Sequence, residues 1–215
     1  DKAKGDYIAF VDSDDEIDLE VYLNSMHHQV DLMLFDAIEY KEKGQRIRKP
    51  AAMLPGVIDS KMILDELLVS SNLNPPWAKV FKRSFLNVNQ IRFNINRKTG
   101  EDFEFLLKVA LCEPKCVYVN LVSYLYWYEA VSTTKRNITY PAVVITDYIE
   151  LYEKKKGIID VLNPDYNTRL KYLTRSESNL VKRLARVATD LISNNVFEDE
   201  YRKRIEDVFF NPQME

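Results

Sequence analysis

The stretch YIAFVDSDD, residues 7–15, places an apolar run directly before three carboxylates. The first five residues, from Tyr7 to Val11, are rich in β-forming side chains and predict a buried strand. A second apolar run, residues 30–40, follows a segment with helical spacing. This alternation predicts an α/β sheet. Ligands of such sheets bind beyond the carboxyl ends of strands, so the acids after Val11 stand where a site is expected.

The composition is that of a globular protein and excludes several classes of function. The 215 residues carry 30 Lys and Arg against 33 Asp and Glu, and this near-neutral balance predicts no nucleic acid partner. Cys112 and Cys116 lack the companion ligands of a zinc site, so we interpret them as reduced apolar residues of a cytoplasmic protein. No apolar run reaches the length of a membrane span.

The pattern of the chain changes near residue 140. Strand-like and helical segments are mixed before that point, and the later residues show helical spacing with a break at 163–168. We therefore expect one domain over residues 1–139 and a helical C-terminal extension over residues 140–215.

The carboxylates admit two interpretations. Asp12 and Asp14 are two residues apart, so an extended chain points both side chains in the same direction. Such hard oxygen ligands suit Mg²⁺ or Mn²⁺, which would reverse their mutual repulsion and bridge a diphosphate. Alternatively, Asp14, Asp15 and Glu16 begin a helix that reaches about residue 28 and favour its dipole. The residues alone leave both interpretations open.

Other functions compete for the same acids. An EF-hand would need Gly and Glu where this chain has Ile17 and Leu23, so it is excluded. The start also resembles a haloacid-dehalogenase-like phosphatase, in which Asp12 would be a nucleophile. That motif continues with Thr or Val where this chain has Asp15 and Glu16. A non-catalytic binding or scaffold module is the alternative from a different class.

Four segments, in order, resemble the family 2 glycosyltransferases of the GT-A fold. AKGDYIAFVDSDDEI is similar to the central acidic motif of the family, and NPPWAKVFKRSFL with the later IRFN is similar to its Trp-x-Lys segment and Arg-Phe strand. GEDFEFLLKVAL resembles the Glu-Asp motif that opens a helix, and VSYLYWYEAVSTTKR resembles the closing Tyr-x-Tyr segment. Together the segments cover roughly residues 3–136, and their order makes the match specific.

The resemblance implies a particular fold for the first domain. Residues 1–139 would form a partial GT-A, Rossmann-like fold of the nucleotide-diphospho-sugar transferases, followed by the helical extension 140–215. Members of the family carry a nucleotide-binding half before the Ala-Lys-Gly stretch, so we expect the 215 residues alone to be inactive. An Arg often stands in the family where this chain has Glu129, and we expect the closing segment to differ there.

The resemblance also implies a reaction. A single sugar would pass, with inversion, from a nucleoside-diphosphate sugar to a hydroxyl of a glycan or lipid-linked acceptor, in cell-surface polysaccharide or glycolipid synthesis. The expected donor is a UDP-sugar and the expected cofactor is Mn²⁺ or Mg²⁺. Asp14 would be the main metal ligand, and Asp12 would contact the nucleotide or help to hold the ion.

Further roles follow from the same resemblance. Asp102 would be the general base, and Glu101 would orient the start of its helix or contact the acceptor. Trp77 and Lys79 would line the donor or acceptor pocket. The alternatives are a helix-start acid for Asp102, a core Trp and a solvated Lys.

Residues 169–186 predict a basic amphipathic helix. Its basic residues are Arg169, Lys171, Arg175, Lys182, Arg183 and Arg186. Such a helix can lie on an anionic surface, which predicts a peripheral contact at the inner face of the cell membrane. The alternative is a helix that packs by its Leu face with its charges in solvent, and it is the more common role of such helices.

Overall fold

The computed structural model describes residues 2–26, 29–41, 44–50, 54–127 and 130–210, except for the side chains of 130–132 and 210. The chain divides into two compact units. The first comprises residues 1–94 and 102–128, and the second comprises residues 95–101 and 129–215. All the strands among the described residues belong to the first unit. The predicted mixed α/β fold with a helical extension is confirmed.

The first unit contains strands and short helices in alternation. The strands are β1 (Tyr7–Ala9), β2 (Glu16–Ile17), β3 (Leu32–Lys41), β4 (Gly44–Arg48), β5 (Gly56–Ile58), β6 (Lys79–Lys82) and β7 (Cys116–Trp127). The helices are α1 (Leu19–Ser25), α2 (Ser60–Val69), α3 (Arg83–Val88) and α4 (Glu101–Leu111).

One sheet joins these strands in the order β1-β6-β3-β7-β2, with β4 paired to β3 and β5 paired to β7. The two longest strands, β3 and β7, are parallel, and the other pairings are antiparallel. The register between β3 and β7 shifts on either side of Asp36. Most of the other strands thus pair with β3 or β7. Strand β1 lies at an edge of the sheet, and the acidic segment follows it.

The core of the first unit follows from apolar spacing. The first four residues of β3, LMLF, are all buried, as expected of a strand that is covered on both faces. Helix α2 buries residues at helical spacing, namely Ile63, Leu64, Leu67 and Leu68, as the sequence predicts. Phe105 of α4 packs edge-on against Phe81 of β6, with the ring centroids 5.4 Å apart.

The acidic segment does not begin a helix at Asp14 or Asp15, so that prediction is wrong. Helix α1 begins later and is capped by Asp18, whose carboxylate accepts a hydrogen bond from the N–H of Val21 at 3.1 Å. Glu16 lies in β2 and pairs with Leu125 of β7. A two-residue strand that depends on a partner more than a hundred residues away has no local signal, and it displaces the helix start.

The second unit is helical. Its helices are α5 (Ala130–Thr139), α6 (Pro141–Leu162), α7 (Tyr166–Ser193) and α8 (Asp199–Phe210). Asn163 ends α6 in the left-handed region at φ 42°, and Asp165 caps α7 through the N–H groups of Asn167 and Thr168. The predicted break within 163–168 is confirmed.

Helix α7 packs by one face. Its buried residues recur every three or four positions and are Tyr172, Ser176, Leu180, Leu184, Val187 and Leu191. Three of its basic side chains engage groups of the same unit: Arg169 pairs with Asp160, Arg186 pairs with Asp190, and Arg183 lies over the ring of Tyr148. In the described part of the chain, no helix is both long and apolar enough to cross a membrane.

The packing of α7 predicts which leucines stabilise the helical unit. Leu184 is 0% exposed in the cluster formed with α6. Leu184→Ala should therefore lower the free energy of unfolding by about 2–5 kcal/mol, because it leaves a cavity. Leu170→Ala is the control, since Leu170 is 51% exposed, and it should change stability by less than about 0.5 kcal/mol. Urea unfolding followed by the helical circular dichroism signal measures both, and equal effects would contradict the assigned packing face.

Candidate functional site

The acidic segment after β1 is fastened to β7 by the side chain of Tyr124. The backbone N–H of Asp12 donates to the Tyr124 hydroxyl at 3.0 Å, and that hydroxyl donates to the Asp15 carboxylate at 2.7 Å. The second oxygen of Asp15 accepts from the N–H of Trp127 at 2.8 Å. Within the segment, the N–H of Asp15 donates to the carbonyl of Asp12 at 3.2 Å. The result is a tight turn that is held at both ends.

The three acids of this turn differ in their contacts and exposure. Both oxygens of Asp15 accept hydrogen bonds from β7, so Asp15 serves to hold the turn. Asp12, the first residue of the turn, and Asp14, one of its two central residues, are exposed. The pKa of Asp12 is raised, first by partial desolvation of its carboxyl group and then by the negative charges of Asp15 and Asp14. The carboxylates therefore stand close enough together to repel one another.

The carboxylates of Asp12 and Asp14 are suitable ligands for a divalent cation. Both are hard oxygen ligands, and an ion would relieve the repulsion that raises the pKa of Asp12. Within the described ranges, no cluster of three or more His, Cys, Asp or Glu side chains is arranged to hold a metal ion. An ion at Asp12 and Asp14 would thus need further oxygens from water or from a ligand, which is how Mg²⁺ is commonly bound.

An aromatic stack joins the acidic turn to the loop before β6. The Trp77 ring stacks on Tyr124 at 5.0 Å and 9°, and on Tyr126 at 5.0 Å and 24°. The guanidinium carbon of Arg48 lies 5.0 Å from the centroid of the Trp77 ring. Trp77 is buried, so the structure places it within the aromatic core, next to the tyrosine that fixes Asp12 and Asp15.

Lys79 is also buried, with 3% of its surface exposed. Its Nζ donates to the carbonyl of Pro75 at 2.6 Å, and a second carbonyl, that of Trp77, lies at 3.5 Å. The loop it holds is strained, because Ala78 has a φ of 52°. The pKa of Lys79 is lowered to about 7, first by burial and then by the positive charge of Arg48, while the negative charge of Asp102 opposes the shift.

Asp102 and Glu101 form the first turn of α4, and both are partly buried. The negative charge of Asp102 acts on Lys79, so the two residues lie within electrostatic reach of one another. Gly100 precedes the pair with a φ of +77°, a conformation that glycine adopts most readily. The structure thus gathers Asp102, Lys79, Arg48 and Trp77 into one neighbourhood, and Tyr124 connects it to the acidic turn.

Sequence reasoning missed the roles of Arg48 and Tyr124. Tyr124 and Tyr126 alternate in the stretch YLYWY, and this spacing of two places both on one face of a strand. That signal was sufficient to find the stack. Arg48 lies in β4, within a charged segment that gives no local indication of a contact with Trp77. Glu129, where the closing segment was expected to differ, lies outside the described residues.

Comparison with known proteins adds a likeness of fold. No family model matches the chain, and no curated protein matches it. A crystal structure of S. aureus TarS 1-349 in complex with UDP-GlcNAc superposes with a TM-score of 0.59 at 20% identity, over 95% of this chain and 56% of that chain. A crystal structure of S. aureus TarS 1-349 gives a TM-score of 0.53 at 19% identity, over 94% and 54%. The chain spans little more than half the length of these structures, and the likeness shows a glycosyltransferase-like α/β fold.

The buried Lys79 predicts a pH dependence of stability. Because its pKa is about 7 in the folded chain against an ordinary value of 10.5 for lysine, the unfolded chain binds more protons between these values, and stability must rise with pH across that window. The unfolding free energy of the wild type minus that of Lys79→Met should therefore increase from pH 6 to pH 9, by on the order of 2 kcal/mol. Urea denaturation at both pH values gives the difference. A flat or falling difference would show that Lys79 stays charged when buried.

Proposed function

We propose that the chain is part of a glycosyltransferase that transfers a single sugar, with inversion, from a nucleoside-diphosphate sugar to a hydroxyl acceptor. The expected donor is a UDP-sugar, and the expected acceptor is a glycan or a lipid-linked glycan. One observation carries the proposal. Asp12 and Asp14 stand exposed on a turn beyond β1, and that turn is held by Asp15 rather than used to cap a helix.

The likeness of fold supports the proposal. The structure with a TM-score of 0.59 is that of TarS in complex with UDP-GlcNAc, and it extends over 95% of this chain. A glycosyltransferase-like fold makes a site beyond a strand end the natural place for a nucleotide sugar. The alternative of a phosphatase, with Asp12 as nucleophile, has no comparable support in the fold.

Asp14 and Asp12 would hold Mn²⁺ or Mg²⁺ together with the diphosphate of the donor. When bound, such an ion neutralises the charge that develops on the leaving diphosphate. The task of the chain is to present the two carboxylates in fixed positions. Asp15 does this because its carboxylate accepts hydrogen bonds from Tyr124 and Trp127, and these bonds fix the turn to β7.

Asp102 would act as the general base. The acceptor oxygen forms a bond to the anomeric carbon, and its proton passes to the Asp102 carboxylate. The bond between the anomeric carbon and the diphosphate oxygen breaks, and the diphosphate leaves with the electron pair. Glu101, its neighbour in the first turn of α4, would contact the acceptor or orient the start of the helix.

Trp77 and Lys79 would support the donor or acceptor pocket without contacting the ligand. Both are buried, so their proposed role is to order the groups that face the ligand. Trp77 supports Tyr124 and Tyr126 by stacking, and Lys79 fixes the carbonyls of the loop that carries Trp77. Polar groups that are held in place in this way need little rearrangement when the ligand binds, so the free-energy cost of reorganisation is small.

The first prediction from this proposal concerns Asp14. In the full natural protein that carries these residues, Asp14→Ala should weaken Mn²⁺-dependent binding of UDP at least about tenfold, because a hard cation loses a charged ligand. Glu20→Ala is the matched control, since it removes an exposed carboxylate from the adjacent helix α1 and should leave binding unchanged. Isothermal titration calorimetry of UDP with and without Mn²⁺ measures both variants. Unchanged affinity in Asp14→Ala would remove the acidic turn from the site, and release of phosphate from a generic phosphoester would favour the phosphatase.

The second prediction concerns Asp102 and is made for the full natural protein that carries these residues. Asp102→Asn keeps the size of the side chain but cannot accept a proton, so the single-turnover transfer rate should fall by about 10²–10⁴. The dissociation constant of the donor should stay nearly constant. Glu101→Gln is the control and should cost less. Near-normal transfer by Asp102→Asn would place the base elsewhere, and a parallel loss of donor affinity would assign Asp102 to binding or structure.

A further inference from the structure

Helix α7 carries a row of exposed basic residues on the side that does not pack. This basic row consists of Lys171, Arg175, Lys182 and Arg186. At about 100° per residue, the four positions lie within about 60° of one another around the helix axis. The buried residues of α7, such as Leu180 and Leu184, lie on the other side of the helix. The packing of α7 by its leucine face therefore leaves the basic row in solvent.

The basic row keeps most of its positive charge. Among the described residues, no carboxylate lies within ion-pair distance of its first three members, and the fourth, Arg186, lies 3.8 Å from Asp190. Asp190 also accepts a hydrogen bond from Asn137 of α5 at 2.7 Å. The other acid of α7, Glu177, accepts one from the Tyr152 hydroxyl of α6 at 3.3 Å. Both acids of the helix are thus engaged by neighbouring helices of the same unit.

Exposed apolar side chains lie beside the basic row. Leu170 and Val181 are about half exposed, and each directly precedes a lysine of the row. About three helical turns separate the two residues, so they lie on the same side of α7. Tyr166, the first residue of the helix, is 76% exposed, and Val161 near the end of α6 is 85% exposed. Cationic and apolar groups that share one exposed side are typical of helices that lie in a membrane interface.

We propose that this side of α7, formed by the basic row with Leu170 and Val181, docks on a membrane surface that contains anionic lipids. The basic side chains contact lipid phosphates, and the apolar side chains enter the boundary between headgroups and acyl chains. Each basic residue near such a surface raises the partition coefficient roughly fivefold. A nucleic acid would satisfy the charges through its phosphates but would leave both apolar side chains in water, so the combination favours a membrane.

Packing and membrane contact are compatible because they use different sides of α7. Of the six basic residues within 169–186, Arg169 pairs with Asp160 and Arg183 lies over the ring of Tyr148, so these two belong to the contacts of the helical unit and not to the basic row. No residue of the candidate site takes part in the docking surface. The membrane contact therefore goes beyond the proposed reaction, and failure of either proposal leaves the other intact.

The test is co-sedimentation of the full natural protein with vesicles of phosphatidylcholine, prepared with and without phosphatidylglycerol. The wild type should bind more tightly to the vesicles that contain phosphatidylglycerol, and this preference should weaken as salt screens the charges. Replacing the first three basic residues together, by Lys171→Gln, Arg175→Gln and Lys182→Gln, should lower the partition coefficient on the order of 100-fold. Because these side chains are exposed, the variant should fold, and circular dichroism verifies this.

Two further variants make the test specific. Lys49→Gln, Lys61→Gln and Lys115→Gln together remove the same charge from exposed lysines of the sheet-bearing unit, and they should change the partition coefficient by less than about threefold. Leu170→Ser with Val181→Ser should lower it by at least about threefold, because apolar contacts with the lipid are lost.

Four results would each overturn the membrane role. These are no preference for phosphatidylglycerol, a preference that ignores salt, equal losses in the two charge variants, and unchanged binding when the two apolar side chains are replaced by serine. The last result would assign the basic row to soluble anions such as nucleic acid.

Discussion

The Tyr124 hydroxyl is the group on which the candidate site depends. It accepts from the backbone of Asp12 and donates to the carboxylate of Asp15, so one oxygen closes the acidic turn onto β7. The ring of the same residue stacks on Trp77, whose loop is held by the buried Lys79. Burial raises the pKa of Tyr124, and its hydrogen bond to Asp15 raises it further, so the hydroxyl keeps its proton and remains a donor. Loss of this one side chain would remove two of the hydrogen bonds of the turn and one of the two rings that stack on Trp77, and would leave the bond from Trp127 to Asp15 and the stack on Tyr126.

The site stores unfavourable electrostatic energy in two places. Asp12 is repelled by its neighbours in the acidic turn, and Lys79 is buried with Arg48 as a nearby positive charge. A stable fold tolerates such terms only if other contacts offset them, and here the offset comes from the aromatic stack and the buried strands β3 and β7. Ionisable groups with perturbed pKa values occur at functional sites more often than elsewhere, which agrees with the proposed role of these residues.

Local patterns in the sequence were sufficient for the elements and insufficient for the contacts. The apolar runs predicted β3, the spacing of four leucines and isoleucines predicted α2, and the NPDYNT break predicted the end of α6. The start of α1 was mispredicted because β2 depends on pairing with β7, and a capping pattern carries no information about so distant a strand. Arg48 and Asp147 were not found for the same reason, since their partners lie 29 and about 50 residues away. The periodicity of apolar residues is a local pattern, so it cannot predict functional contacts between residues this far apart in the sequence.

The division of the chain follows its contacts and not its order. Residues 95–101 lie between two parts of the sheet-bearing unit in sequence, yet they fold with the helices because Asp147 offers them a buried carboxylate. A backbone N–H that loses such a partner inside a protein costs about 1–3 kcal/mol, so two of them bind the segment firmly to α6. Gly100, with its positive φ, ends this anchored segment in a conformation that other residues rarely adopt, and a side chain there would overlap Leu151 of α6. Residues 95–101 therefore belong to the helical unit because their polar groups find partners on α6, although the residues before and after them in the sequence belong to the sheet-bearing unit.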